Sequence, residues 1–231
     1  MNIQGFQKLT LLDYPDHMAC TVFTGGCNMR CPFCHNASLV LRPGENPAFF
    51  EEEIYAFLKQ RQGILDGVAI TGGEPLLQHG LEEFILRVRE FGFAVKLDTN
   101  GSYPDRLAAL IDKGLLDFVA MDIKNSRERY AETVGVANFD IAPIEQSVAL
   151  LRASGVPFEF RTTVVRELHS AEDIEDMGVW LAGDHKHYLQ GFIDSGDLIR
   201  GPLSGYDKNQ MLDLLNVLKA YVPKAELRGV E

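Results

Sequence analysis

The sequence is poor in the features that mark several large protein classes. Of 231 residues only four are cysteine and one is tryptophan. Four thiols in a chain this long are too few for a disulfide-stapled scaffold. Basic residues are outnumbered, 22 Lys and Arg against 33 Asp and Glu, giving a formal charge of −11. Such a balance offers no reason to expect a nucleic-acid partner or binding to an anionic membrane surface. No run of about 18 apolar residues occurs, so no membrane span is predicted. The opening MNIQGFQKLTLLDYPD lacks the charged-then-apolar layout of a secretory signal. We therefore expect a cytoplasmic protein, in a reducing compartment where clustered thiols bind metal more often than they pair.

What is present is a core-forming supply of apolar residues, 46% of the chain, in a recurring order. Short apolar runs alternate with polar loops and amphipathic helices. Strands are predicted at His17–Thr24, Gly67–Thr71, Ala94–Thr99, Phe118–Lys124, Pro157–Val165 and His187–Ile193. Leu81, Phe84, Ile85 and Val88 carry the i, i+3, i+4, i+7 spacing of a helix, as do Met211, Leu214, Leu215 and Leu218. Regular β–α alternation implies an α/β fold with a parallel sheet. Six units fall short of the eight in a closed barrel of ~250 residues, which leaves an open, partial barrel or a doubly wound sheet.

Several strands carry charge on one face. Lys96 and Asp98 alternate with Val95 and Leu97, Asp122 and Lys124 with Met121 and Ile123, and Glu159 and Arg161 with Phe158 and Phe160. Parallel strands are usually apolar on both faces, and an unpaired buried charge costs several kcal/mol. The pattern suggests a polar lumen built for a polar ligand, with ion pairing among these residues as the alternative or the accompaniment.

Three of the four cysteines crowd into residues 25–36, GGCNMRCPFCHN. The spacing C-x3-C-x2-C lets Cys27, Cys31 and Cys34 wrap one metal centre. On a four-iron cluster, three thiolates leave one iron without a protein ligand, and an open coordination position is where a substrate binds. A structural zinc site is the competing reading, with His35 or Cys20 as its fourth ligand. His35 adjoins Cys34, an awkward spacing for joint ligation. Cys20 sits in the apolar stretch HMACTVF, where a buried core thiol is expected.

The pattern C-x3-C-x-Phe-C resembles the signature of the radical S-adenosylmethionine (SAM) superfamily. CPFCHN, TGGEP at 71–75, LDTNG at 97–101 and MDIK at 121–124 are similar to motifs of its glycyl-radical-enzyme activases. KLTLLDYPD followed by TGGC resembles the activating proteins of anaerobic ribonucleoside-triphosphate reductase. The likeness implies a partial, open (β/α)6 radical SAM barrel as a single domain over 1–231, with a short N-terminal extension at about 1–16. It implies a [4Fe-4S] cluster on Cys27, Cys31 and Cys34, with SAM chelating the fourth iron. Phe33 would stack near the adenine, and His35 would be among the cofactor-binding residues. Gly72, Gly73 and Glu74 would meet the methionyl ammonium, Lys124 the carboxylate, and Asp122 a ribose hydroxyl. Asp98, Thr99 and Asn100 would line the same lumen, with Gln190 contributing from the sixth strand. Asp98 and Asp122 could together hold a small cation.

The implied reaction is reductive cleavage of SAM to a 5′-deoxyadenosyl radical, which removes hydrogen from a glycine of a partner glycyl-radical enzyme. An anaerobic ribonucleotide reductase is the expected partner, and flavodoxin or ferredoxin the expected one-electron donor. Two rivals stand beside this reading: a radical SAM enzyme acting on a small molecule, like 7-carboxy-7-deazaguanine synthase, and a zinc-binding adaptor.

Overall fold

The computed structural model describes residues 1–44, 48–194 and 196–230. Its strands follow chain order in one open, mostly parallel sheet. The chain divides into two compact units, one formed by Met1–Asn28, Ser38–Ala120 and Pro143–Pro157, the other by Met29–Ala37, Met121–Ala142 and Phe158–Glu231.

In the first unit β1 (Ile3–Thr10) runs antiparallel to β2 (Ala19–Thr24), which pairs in parallel with β3 (Gly67–Gly72), and β3 with β4 (Ala94–Thr99). A short α1 (Ala37–Leu41) and the helix α2 (Glu51–Arg61) separate β2 from β3. Between β3 and β4 lies α3 (Leu81–Glu90), which buries Leu81, Phe84, Ile85 and Val88, the four residues its periodicity singled out. Each is worth roughly 1.5–3 kcal/mol of burial. Glu82 and Glu83 sit in its first turn and Arg87 and Arg89 in its last, in accord with the helix dipole. The next helix, α4 (Pro104–Asp112), opens on a proline whose missing N–H would have no partner there anyway.

β5 (Phe118–Asp122) straddles the division of the chain. The second unit holds α5 (Tyr130–Val134). The next helix, α6 (Ala142–Ser154), belongs to the first unit from Pro143 onward. The second unit continues with β6 (Phe158–Val164), α7 (Ala171–Leu181), β7 (Lys186–Gly191), α8 (Lys208–Lys219) and β8 (Ala225–Arg228). β6, β7 and β8 are parallel neighbours. Both longer helices begin with reciprocal caps, Ser170 with Asp173 and Asp207 with Gln210. α8 buries Met211, Leu214, Leu215 and Leu218, again the periodic set.

Two strands were not foreseen. The segment expected as an extension at about 1–16 contains β1, and β8 follows the last helix. Several boundaries also move. The strand expected from His17 starts at Ala19, because His17 N–H closes a turn onto the Tyr14 carbonyl at 3.2 Å and its ring stacks on Tyr14. The strand expected to reach Lys124 stops at Asp122, and the Lys124 N–H donates to the Tyr130 hydroxyl at 3.3 Å. β7 begins one residue before His187 and ends at Gly191, two short of Ile193.

Candidate functional site

Within the first unit, the TGGEP turn locks onto the glycine-rich start of the cysteine loop. The Gly73 N–H donates to the Thr24 carbonyl and the Glu74 N–H to the Gly26 carbonyl, both at 2.8 Å. That approach requires glycine. A Cβ on Gly73 would stand 1.9 Å from Gly26 O, and one on Gly72, where φ is +118°, would stand 2.3 Å from Thr24 N. These two residues were expected to make room for a ligand; what they visibly make room for is the chain that carries Cys27.

Glu74 is completely buried. Its Oε1 accepts from the Leu76 N–H at 3.0 Å and from the Thr99 hydroxyl at 2.8 Å. Its Oε2 accepts from the Asn100 N–H at 2.7 Å. The carboxylate thus ties the end of β3 to the end of β4. Asn100 in turn reaches the cysteine loop, donating from Nδ2 to Asn28 Oδ1 at 2.9 Å and to Cys27 Sγ at 3.7 Å. Asp98 is ion-paired with Lys96, whose side chain is only 2% exposed. Cys20 is fully buried in β2, and desolvation pushes its thiol up to about 12, so it is a core residue and a poor metal ligand.

The second unit carries Cys31 and Cys34. The loop is pinned by its backbone: the Arg30 N–H donates to the Val134 carbonyl at 2.8 Å, and the Arg200 N–H to the Pro32 carbonyl at 3.1 Å. Gly135, in the left-handed region at φ +66°, lets α5 end against Arg30, whose carbonyl would lie 2.4 Å from an added Cβ. Phe33 is 4% exposed and meets the edge of the His169 ring, with centroids 6.3 Å apart. His35 is exposed and stacks on Phe192 at 5.4 Å.

Asp122, Lys124 and Arg161 form a charged cluster in this unit. Asp122 accepts from Lys124 Nζ and from Arg161 Nε, each at 2.9 Å. Burial alone would raise the Asp122 carboxyl, but the Arg161 guanidinium and the Lys124 ammonium outweigh it and hold the group down at about 2. Lys124 is opposed by desolvation and held charged by Asp122 and by the Cys31 sulfur, with a net upward shift. Desolvation raises the Cys34 thiol, while the Asn36 N–H and Lys124 pull it toward the thiolate. Glu159, 1% exposed, takes both guanidinium nitrogens of Arg228 at 2.9 and 3.1 Å. Arg161 thus bonds to Asp122 and Glu159 to Arg228, ion pairs of the kind that the alternating charges on these strands suggested. Gln190 is half-buried in β7, with Thr163 and Arg228 as its register partners.

The charged strand faces thus carry ion pairs in both units. Among the described residues no three His, Cys, Asp or Glu side chains are gathered tightly enough to hold a single metal ion. The donor set of a thiol loop with N–H groups aimed at sulfur fits an iron–sulfur cluster.

Three participants escaped the reading of the sequence. Tyr130 holds the Lys124 N–H, His169 Nε2 bonds the Lys124 carbonyl at 2.8 Å, and Asn28 receives Asn100. Asn28 alone left a local trace, by sitting beside Cys27. His169 acts across 45 residues of chain, and Tyr130, six residues beyond Lys124, belongs to no motif that singles it out.

A family profile described as the radical SAM superfamily matches residues 21–180. A Methanocaldococcus jannaschii protein assigned by name to the glycyl-radical enzyme activating enzymes is 32% identical over 235 residues, covering 99% of this chain and 96% of the relative. The 7-carboxy-7-deazaguanine synthase of Methanopyrus kandleri is 40% identical over 118 residues, covering 43% of this chain and 46% of its own. Among solved structures, Streptococcus suis SuiB bound to SAM matches with a TM-score of 0.70 at 15% identity, over 88% of this chain and 48% of that one. No helix among the described residues is long and apolar enough to cross a membrane.

Proposed function

This chain belongs to the radical SAM superfamily, whose members use a [4Fe-4S] cluster and SAM, and from that premise we propose that it is a glycyl-radical-enzyme activase. The observation that carries the proposal is the end-to-end likeness to the M. jannaschii relative, against a likeness to the deazaguanine synthase that spans less than half of either chain.

Cys27, Cys31 and Cys34 are assigned to the cluster. They lie on eight consecutive residues of a loop whose backbone is anchored at Gly26, Arg30 and Pro32. Bound together, cluster and SAM supply one-electron cleavage of the sulfonium and the abstraction of a hydrogen atom from a glycine Cα of the partner. The chain's own part is to bind and orient. Lys124, kept charged by Asp122, is suited to the carboxylate of SAM, and Asp122 to a ribose hydroxyl. Phe33, His35 and Gln190 are assigned to the nucleoside, and Asp98 and Asn100 to the lumen wall. Gly72, Gly73 and Glu74 are assigned to the methionyl end, which they serve at least by shaping the turn beside Gly26. Glycine is an apt target because it has no side chain to obstruct entry to a narrow site.

The KLTLLDYPD motif followed by TGGC favours an anaerobic ribonucleoside-triphosphate reductase as partner, with flavodoxin or ferredoxin supplying the electron in the cytoplasm. The test is anaerobic mixing of reduced protein, SAM and candidate partners, read by electron paramagnetic resonance. A glycyl doublet on the reductase is expected. Turnover of a deazaguanine precursor with no doublet on any glycyl-radical enzyme would replace the reading with the small-molecule one.

A further inference from the structure

Asn100 occupies the turn just beyond β4 and is 5% exposed. Its amide has no freedom to turn. The oxygen Oδ1 accepts from the Ser102 N–H at 2.9 Å, and the residue's own N–H is held by Glu74. This acceptor demand fixes which end of the amide is nitrogen. Nδ2 therefore points both its hydrogens at the cysteine loop, one at Asn28 Oδ1 and one at Cys27 Sγ. With the free thiol, Cys27 itself donates to Asn28 Oδ1 at 3.9 Å. A metal-bound cysteine is a thiolate and has no such hydrogen. In that state the Asn100 N–H faces a sulfur that bears negative charge, the setting in which a hydrogen bond is strongest.

We propose that Asn100 is a positioning residue acting through Cys27: by donating to Sγ, its amide raises the potential at which the cluster accepts an electron, without being needed for the cluster to assemble. The couple is the one-electron step between the 2+ and 1+ states, the electron coming from a titrant such as dithionite. Reduction adds one negative charge, shared with the ligand sulfurs, and an N–H aimed at such a sulfur favours the more negative state. The proposal rests on the assignment of Cys27 as a cluster ligand.

Two substitutions keep the turn onto Ser102 and remove the donor. Asn100→Ser retains a short oxygen able to cap the i+2 N–H but cannot reach Cys27. Asn100→Asp retains Oδ1 and replaces the amide nitrogen with oxygen. Each variant is reconstituted anaerobically, assayed for iron and sulfide per chain, and titrated by electron paramagnetic resonance. The expected result is a full cluster whose reduced-to-oxidised ratio at a given poise falls roughly tenfold in Asn100→Ser, a shift of about 59 mV for one electron. A larger fall is expected in Asn100→Asp. A full cluster with an unmoved midpoint in both variants overturns the proposal and leaves the cofactor assignment standing. Folded variants that take up no cluster also overturn it, since a donor that only tunes is dispensable for assembly. Failure of the unsubstituted protein to take up four irons instead removes the assignment on which the proposal rests.

Discussion

Replacing Glu74 by alanine tests whether the carboxylate of the TGGEP turn serves the fold or only a ligand. In the structure it has no exposed surface and accepts from two backbone N–H groups, of Leu76 and Asn100, and from the Thr99 hydroxyl. Alanine leaves all three donors without this acceptor. The hydroxyl can rotate, but the two N–H groups are fixed by the turn and by the end of β4. At about 1–3 kcal/mol for each stranded buried donor, the loss comes to roughly 4 kcal/mol before any cavity cost. Glu74→Gln keeps the oxygen that serves Leu76 and Thr99 but sets an NH2 against the Asn100 N–H, so about 1.5–3 kcal/mol is expected. Urea unfolding of the anaerobically purified protein, followed by far-ultraviolet circular dichroism, reads both values. SAM affinity is measured in parallel on the fraction that folds. An alanine variant within 1 kcal/mol of the parent that no longer binds SAM would refute the reasoning and return this carboxylate to the ligand alone.

Three further outcomes follow from the same geometry. Gly73→Ala puts a methyl group onto the Gly26 carbonyl, and the purified variant should contain far less iron per chain than the parent, because the loop bearing Cys27 must shift. Arg228→Ala strands Glu159, which is 1% exposed, and should cost about 3–5 kcal/mol in urea unfolding; a loss below 1 kcal/mol would mean that the pair is not closed in solution. The Asp122 carboxyl is depressed from 3.8 to about 2, so its contribution is complete above pH 3.8 and disappears as pH falls toward 2. That shift is worth ~2.4 kcal/mol at most, and about half once its 30% exposed side chain is allowed for. Urea midpoints taken across this interval should drop more steeply in the parent than in Asp122→Asn.

Much of the architecture could be read locally. The helix faces at Leu81–Val88 and Met211–Leu218 were legible because a 3.6-residue period needs only neighbouring positions. β4 was legible to the residue, since its alternation is bounded by Phe93 and Asn100. β1 and β8 were not. β1 is an edge strand with a glycine at its third position and a largely exposed stretch at Gln7–Leu9, and β8 has four residues, too few for a period to declare itself. Cys20 could be set aside from sequence because its apolar flanks already implied burial.

The sequence alone determined that three thiols share one short loop and that charges alternate with apolar residues on several strands, because both are matters of chemical identity and covalent spacing. Only the tertiary structure decided whom those charges meet: Lys96 with Asp98, Asp122 with Lys124 and Arg161, Glu159 with Arg228. It likewise decided that Glu74 bridges two strand ends and that Asn100 donates to Cys27. Asn100 lies 73 residues from Cys27 along the chain, and Arg228 lies 69 from Glu159. Contacts at such separations exist only after parallel pairing has brought the strand ends side by side, and no local pattern encodes which end will face which.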